Sequence, residues 1–253
     1  MKELGISSVN LGLRVKQIFK MVYEFYGLRR SGNHAILEWL IQNIGGPANR
    51  NIIKETRIIQ CGRAVYMNEI NTYPSHDELD LDCRFCKSAF ENLIVSYEDV
   101  PTDYTLLNAG NTQQIVILRD IFNLFASRYK QAQKFPGNKH IQNNVLRLDE
   151  KAIEVWKQHA NSNALIIIFE RWIESKEYRD SICEQLGIKN HDITDTMTEF
   201  GGGSSFTGRK KPTVDELKSR AKMVNLSQEI VDRLNQTDIK ELRKRLGFIS
   251  SNV

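Results

Sequence analysis

Cysteine is scarce, and its scarcity removes two classes of protein at once. Four cysteines in 253 residues are too few and too scattered for a disulfide framework. Cys83 and Cys86 form a lone C-x-x-C, while Cys61 and Cys183 are isolated. A structural zinc site needs a second pair of ligands at matching spacing, and none stands out, so the thiols read as ordinary and reduced. Long apolar runs are also missing: no stretch approaches the roughly 20 residues that a membrane-spanning helix needs. The start, Met1-Lys2-Glu3-Leu4, lacks the basic-then-apolar order of a secretory leader, so a cytoplasmic protein is expected. Nor is there a large excess of one charge. The net charge of +4 suits an anionic ligand without demanding nucleic acid. Residues 209–245 are rich in Lys and Arg but lack the interleaved aromatics that grip single strands, and they read as solvated helix faces.

Apolar residues make up 41% of the chain and charged residues 26%, a balance that builds one soluble core. We therefore expect a single α/β domain over 1–253, with a central, mainly parallel sheet flanked by helices. Residues 21–210 are expected to form its α/β core, and 211–253 C-terminal helices packed on it. An N-terminal basic amphipathic pattern over 9–21 predicts a further helix on the domain.

The chain is organised around Val22–Ile36. The aromatic-rich run Val22 to Tyr26 reads as a buried strand, and the pattern Ile36, Leu37, Leu40, Ile41, Ile44 as a helix. Between them lies Gly27-Leu28-Arg29-Arg30-Ser31-Gly32. Strand, Gly-bounded loop and helix together aim backbone N–H groups and a helix N-terminus at a phosphate. The two glycines stand four residues apart, as in G-x-x-x-x-G-K-[ST]. Asn33 and His34 take the places of the Lys and of the Mg²⁺-holding Ser/Thr, so the loop suits an anion without suiting Mg-ATP.

Three more stretches carry chemistry. Asn92–Tyr97 reads as a strand closed by Glu98-Asp99-Val100-Pro101, which places two carboxylates where α/β folds put their sites. Gln114–Leu118 is a buried strand ending in Arg119-Asp120. A helix from Ile121 follows it, with Ser127 eight residues after Arg119, and the two are expected to be able to converge on one anion. The polar segment Met67–His76 reads as a long loop and a candidate part of an acceptor site. Arg57–Gln60 reads as a short strand. Asp149 and Ser175 are expected to cap helices through Trp156 and Leu186, and Ser227 and Thr237 two more.

The phosphate loop and the Arg119/Ser127 element together resemble the sulfotransferases that use 3′-phosphoadenosine 5′-phosphosulfate (PAPS). That family's loop, P-[KR]-S-G-T-T-W, is matched by Arg29-Arg30-Ser31-Gly32-Asn33-His34-Ala35. Its 3′-phosphate element, R-[DN]-P followed by a Ser, is matched by Arg119-Asp120-Ile121 and Ser127. Ala164–Glu170 looks like the family's late strand ending in Glu, Leu186-Gly187-Ile188 like the close of its "FLG" helix, and Glu241–Phe248 like its terminal helix. The departures are Asn33 and His34 for paired threonines, Ile121 for proline, and Tyr97–Pro101 where cytosolic members carry a histidine.

The resemblance implies a P-loop sulfotransferase-like fold and transfer of a sulfuryl group from PAPS to a hydroxyl of a carbohydrate, lipid or small metabolite. The product nucleotide would be adenosine 3′,5′-bisphosphate (PAP), and no metal is implied. Arg29, Arg30, Ser31, Gly32, Asn33 and His34 would hold the 5′-phosphosulfate, with Arg30 relieving charge on the leaving phosphate. Arg119 and Ser127 would clamp the 3′-phosphate, and Phe206, Arg209 and Lys210 of a Gly-rich loop would lie near the adenosine. Glu98 is the first candidate for general base and Asp99 the second, with His34 a contact to the leaving group or acceptor. The alternatives are a P-loop phosphotransferase and a non-catalytic nucleotide-binding module on the same scaffold.

Overall fold

Strand β1 (Met21–Gly27) runs through the middle of the sheet because almost every side chain on it is apolar or aromatic, the composition of a strand covered on both faces. Strands β5 (Asn92–Glu98) and β6 (Thr112–Leu118) lie parallel on either side, with Gly27 in register with Glu98 and with Ile117. Beyond β6, β7 (Leu165–Ile168) continues in parallel. On the other flank β4 (Ala64–Met67) pairs in parallel with β5, while β2 (Arg50–Ile53) and β3 (Ile58–Cys61) form an antiparallel edge. The resulting seven-stranded order is β2-β3-β4-β5-β1-β6-β7, a mainly parallel α/β sheet. The computed structural model describes residues 21–45, 50–53, 58–61, 64–67, 92–104, 111–134, 139–189 and 214–249. The expectations for 9–20, 68–76, Cys83 and Cys86, and 201–210 (with Phe206, Arg209 and Lys210) lie outside the described residues.

Helices cover both faces. On one, α1 (Asn33–Gly45), α4 (Phe169–Glu174) and α5 (Lys176–Gln185) bury Leu37, Trp39, Leu40, Trp172 and Ile182 against Phe25, Ile94 and Ile115. On the other, α2 (Ile121–Lys134), α3 (Lys139–Ala160), α7 (Gln228–Leu234) and α8 (Thr237–Arg245) pack Leu124, Phe125, Trp156, Leu234 and Ile239 against Tyr26, Tyr97 and Val116. Between α5 and α7, the short α6 (Val214–Lys218) and a 3-10 turn (Arg220–Met223) reach the start of α2. There Asn123 donates to the Lys218 carbonyl at 2.8 Å and accepts from Ala221 N at 3.0 Å. Among the described residues no helix is long and apolar enough to cross a membrane.

Four local expectations need correction. Asp149 does not cap a helix: it lies inside α3, which begins ten residues earlier at Lys139, where backbone N–H groups already have i−4 partners. Thr237 is the first helical residue of α8, preceded by Gln236 with no side-chain cap. Ser175 and Ser227 do cap, accepting from Tyr178 N and Ile230 N. The late strand ends at Ile168, and Glu170 sits in the first turn of α4. In the region read only as one short strand at 57–60, β2 and β4 accompany β3, too short at four residues each to show a clear period.

One buried histidine ties this scaffold to pH. His159, fully buried on α3, has Nε2 2.8 Å from the Val100 carbonyl, so Nε2 carries the proton and donates. Burial pulls its pKa down to about 4, against smaller opposing effects of the Val100 bond and Asp99. The folded protein therefore refuses a proton that the unfolded chain takes up below about pH 6.5. Stability from this source is complete above pH 6.5 and is lost as the pH falls towards 4. Urea unfolding is expected to show about 2 kcal/mol less stability at pH 5 than at pH 7 from this residue. His159→Gln removes that part of the slope, and an unchanged slope in the variant excludes His159 as its source.

Candidate functional site

The chain leaves β1 for the far edge at β2, steps inward through β3, β4 and β5, and then crosses to β6 on the other side of β1. The crevice at the carboxyl end of β1 is thus the switch point of the sheet, where open α/β folds bind ligands. The segment after Gly27 lies there. Ser31 N bonds back to the Leu28 carbonyl at 3.0 Å, and the Gly32 carbonyl accepts from Ala35 N and Ile36 N to open α1. The first turn of α1, from Asn33, thus follows the loop directly, which brings the positive end of the helix dipole to this crevice.

Two glycines are dictated by close approach. A side chain at Gly32, whose φ is +92°, would meet the Phe169 ring at 2.2 Å. At Gly27 it would meet Asn33 Oδ1 at 2.1 Å. Arg30 adopts φ +77° and Asp99 φ +57°, so among the described residues the two non-glycine residues in the left-handed region both flank this crevice. Strain of this kind, on the order of 1 kcal/mol or more per residue, gathers at functional sites. The buried Ser31 hydroxyl has no hydrogen-bond partner among the described residues, which leaves a polar atom to be satisfied by a ligand.

The predicted residues meet here. Arg30 Nε donates to Ser127 Oγ at 3.2 Å, and Arg119 Nη1 donates to the Arg30 carbonyl at 3.1 Å. Ser127 is reached by Arg30 rather than by Arg119, whose Nη2 goes to the Leu217 carbonyl at 2.6 Å. Burial lowers the Arg119 pKa to about 10, with Glu170 opposing and Arg30 adding to the fall. His34 is the second residue of α1 and half-buried.

The two carboxylates have different surroundings. Buried Glu98 accepts from Asn33 Nδ2 at 3.1 Å, and Arg29 Nε lies 3.4 Å from its Oε2. Asp99 is anchored by Arg128, by the Arg29 backbone N–H at 3.0 Å and by Arg29 Nε at 3.4 Å. Asp99 thus stitches β5 to the loop, while Glu98 stands beside α1.

Three contributors escape sequence reading. Arg220, on the 3-10 turn, donates through Nη1 to Ser127 Oγ at 3.2 Å. Burial, then the charges of Arg119 and Arg30, pull its pKa down to about 9. Nothing in the local pattern separates Arg220 from Lys218 or Lys222. Arg128, next to Ser127 on α2, also donates from Nε to the Arg29 carbonyl at 3.2 Å; its place beside an expected ligand is the one signal available. Glu170 accepts from Asp120 N at 3.2 Å and lies 3.7 Å from Arg119 Nε, and burial raises its pKa.

Beside Asp120 opens a cleft of about 530 Å³, with Phe122, Ile168, Glu170, Lys218, Arg243 and Phe248 among its walls; Arg30, Arg119, Ser127 and Arg220 do not line it. It lies at the carboxyl ends of β6 and β7, in the size range of small-ligand sites. Three clustered guanidiniums, a shared serine hydroxyl, a helix N-terminus and a buried carboxylate at the margin together have the chemistry that suits an oxyanion. No family model, curated protein or solved structure matches the chain.

Proposed function

We propose that this protein is a PAPS-dependent sulfotransferase acting on a hydroxyl acceptor. The observation that carries the reading is the convergence of Arg30 and Arg220 on Ser127, with Arg119 bound to the backbone of Arg30. Burial first, and then the neighbouring guanidinium charges, pull the pKa values of Arg119 and Arg220 down, so like charges stand together here with some mutual repulsion. A multiply charged phosphate relieves that repulsion.

In this reading the residues divide the work. Arg119, Arg220 and Ser127 clamp the 3′-phosphate of the donor, and the adjoining cleft offers room for its nucleoside. The loop from Arg30 to His34 and the start of α1 receive the 5′-phosphosulfate. The acceptor oxygen attacks sulfur in line, the bond from sulfur to the bridging oxygen breaks, and its electron pair leaves on the phosphate. Arg30 offsets the charge that develops there, acting as a fixed cation rather than as a proton donor. Glu98 takes the hydroxyl proton, because Asp99 is held by Arg128 and a backbone amide while Glu98 lies next to the loop.

Calorimetry with PAP against ADP, each with EDTA and with Mg²⁺, tests the donor site. Metal-independent binding of PAP, clearly tighter than ADP and weakened by about 2 kcal/mol or more in Arg220→Ala and Arg119→Ala, is the expected result. Arg119 also holds two backbone carbonyls and Arg220 is buried, so a urea unfolding curve on each variant separates loss of the fold from loss of the clamp. Equal or Mg²⁺-dependent binding of ADP would replace this reading with a phosphotransferase. Tight PAP binding with no turnover over a broad hydroxyl panel would replace it with a nucleotide-binding module.

A further inference from the structure

Arg29 stands apart from the other arginines of the site. Its side chain is 44% exposed, whereas the Glu98 and Asp99 side chains that it faces are 7% and 15% exposed. Its Nε lies 3.4 Å from Glu98 Oε2 and 3.4 Å from Asp99 Oδ2, long for a hydrogen bond and within ion-pair range. The two carboxylates do not depend on it equally. Asp99 has the buried Arg128 guanidinium and the Arg29 backbone N–H as rigid partners. Glu98 has the Asn33 amide at 3.1 Å and, beyond it, cations of the loop: Arg29 in contact and the Arg30 charge nearby. Of these groups, Arg29 is the one on a long, solvent-reaching stem at the mouth of the crevice.

We infer that Arg29 is a positioning residue for Glu98: a latch that pairs with the carboxylate at rest and is drawn off by an anionic ligand, leaving Glu98 a stronger base. The inference rests on the sulfotransferase reading of the same site. The physical basis is charge competition. An exposed guanidinium held by a 3.4 Å pair is weakly bound, and a phosphate or sulfate arriving a few ångströms away offers a better partner, with a matching fork and more charge. Once the cation turns to the ligand, Glu98 loses an opposite charge that favoured its ionised form, and its affinity for a proton rises. Asp99 loses its own 3.4 Å pair with Arg29 but keeps Arg128 and the Arg29 backbone N–H. The loop residue next to Arg30 thereby couples arrival of an anion to readiness of the base.

Among the contacts of Glu98 are Arg29, the Arg30 charge and the Asn33 amide, with Asp99 and its Arg128 adjoining, and the experiment separates their effects. The ionisation of Glu98 is followed by carboxyl carbon NMR in glutamate-labelled protein, assigned with Glu98→Gln. Wild type, Arg29→Gln and Arg29→Lys are each titrated with and without saturating PAP, and calorimetry run in parallel reports binding. Arg29→Gln without ligand is expected to raise the Glu98 midpoint by about one unit, and Arg29→Lys to restore it. PAP is expected to raise the midpoint in wild type and to add clearly less in Arg29→Gln, where the pair is already gone. An unmoved midpoint in ligand-free Arg29→Gln overturns the latch. So does an equal increment in wild type and variant, which would be the bare field of the nucleotide. Absence of heat with PAP overturns the donor reading and the trigger together, whereas heat without movement of Glu98 overturns the latch alone.

Discussion

Glu98→Gln is expected to lower turnover by roughly a thousandfold while leaving PAP affinity within about threefold of wild type. Glutamine keeps the length of the side chain and an oxygen to accept from Asn33 Nδ2, so the loop retains its support while the proton acceptor is lost. Asp99→Asn has a different signature. It weakens the ion pair with Arg128 and the tie to the Arg29 backbone N–H, so nucleotide binding and stability fall along with turnover. The check is single-turnover transfer of labelled sulfate to whichever member of a hydroxyl panel gives product, beside calorimetry on each variant. If Glu98→Gln keeps full turnover and Asp99→Asn abolishes it, the two carboxylates exchange roles.

Gly32→Ala is the second large effect. Its Cβ would enter the Phe169 ring at a backbone φ of +92°, so the substitution combines overpacking with left-handed strain, about 3 kcal/mol of stability in all. The ring cannot simply withdraw: Phe169 stacks on Trp172 at 6.2 Å, and Arg119 lies 4.9 Å above its face. The displacement therefore travels into the anion site, and PAP affinity should fall by more than a hundredfold. Gly32→Ala combined with Phe169→Ala removes the clash and leaves the strain, so recovery should be partial. Full binding in the Gly32→Ala protein would mean that the loop is not the receptor.

Both expectations begin with residues that announce themselves in the sequence, though unequally. The strand from Val22 to Tyr26, the break at Gly27 and the helical period from Ile36 are local signals, because apolar spacing and glycine placement act on their own neighbourhood. The same holds for Gln114–Leu118 and for the caps at Ser175 and Ser227. Asp149 misled because a residue that favours helix starts is also tolerated inside a long helix, and α3 extends ten residues upstream of it. Within the site, Arg30, Glu98, Arg119 and Ser127 were legible because each stands at the end of a strand or at a fixed offset from one.

Sequence alone thus determined the class of the fold, the position of the glycine-bounded turn between β1 and α1, and which strand ends carry charge. These depend on side-chain period and backbone preference over a few residues. Tertiary structure alone decided the pairings: Arg220 reaching Ser127 across 93 positions, Arg128 securing Asp99, and Glu98 left beside Arg29 and Asn33. Guanidiniums are long, and all carry the same charge. Nothing local tells one arginine from another, so what distinguishes them is burial and the partner that the folded chain brings within about 3 Å.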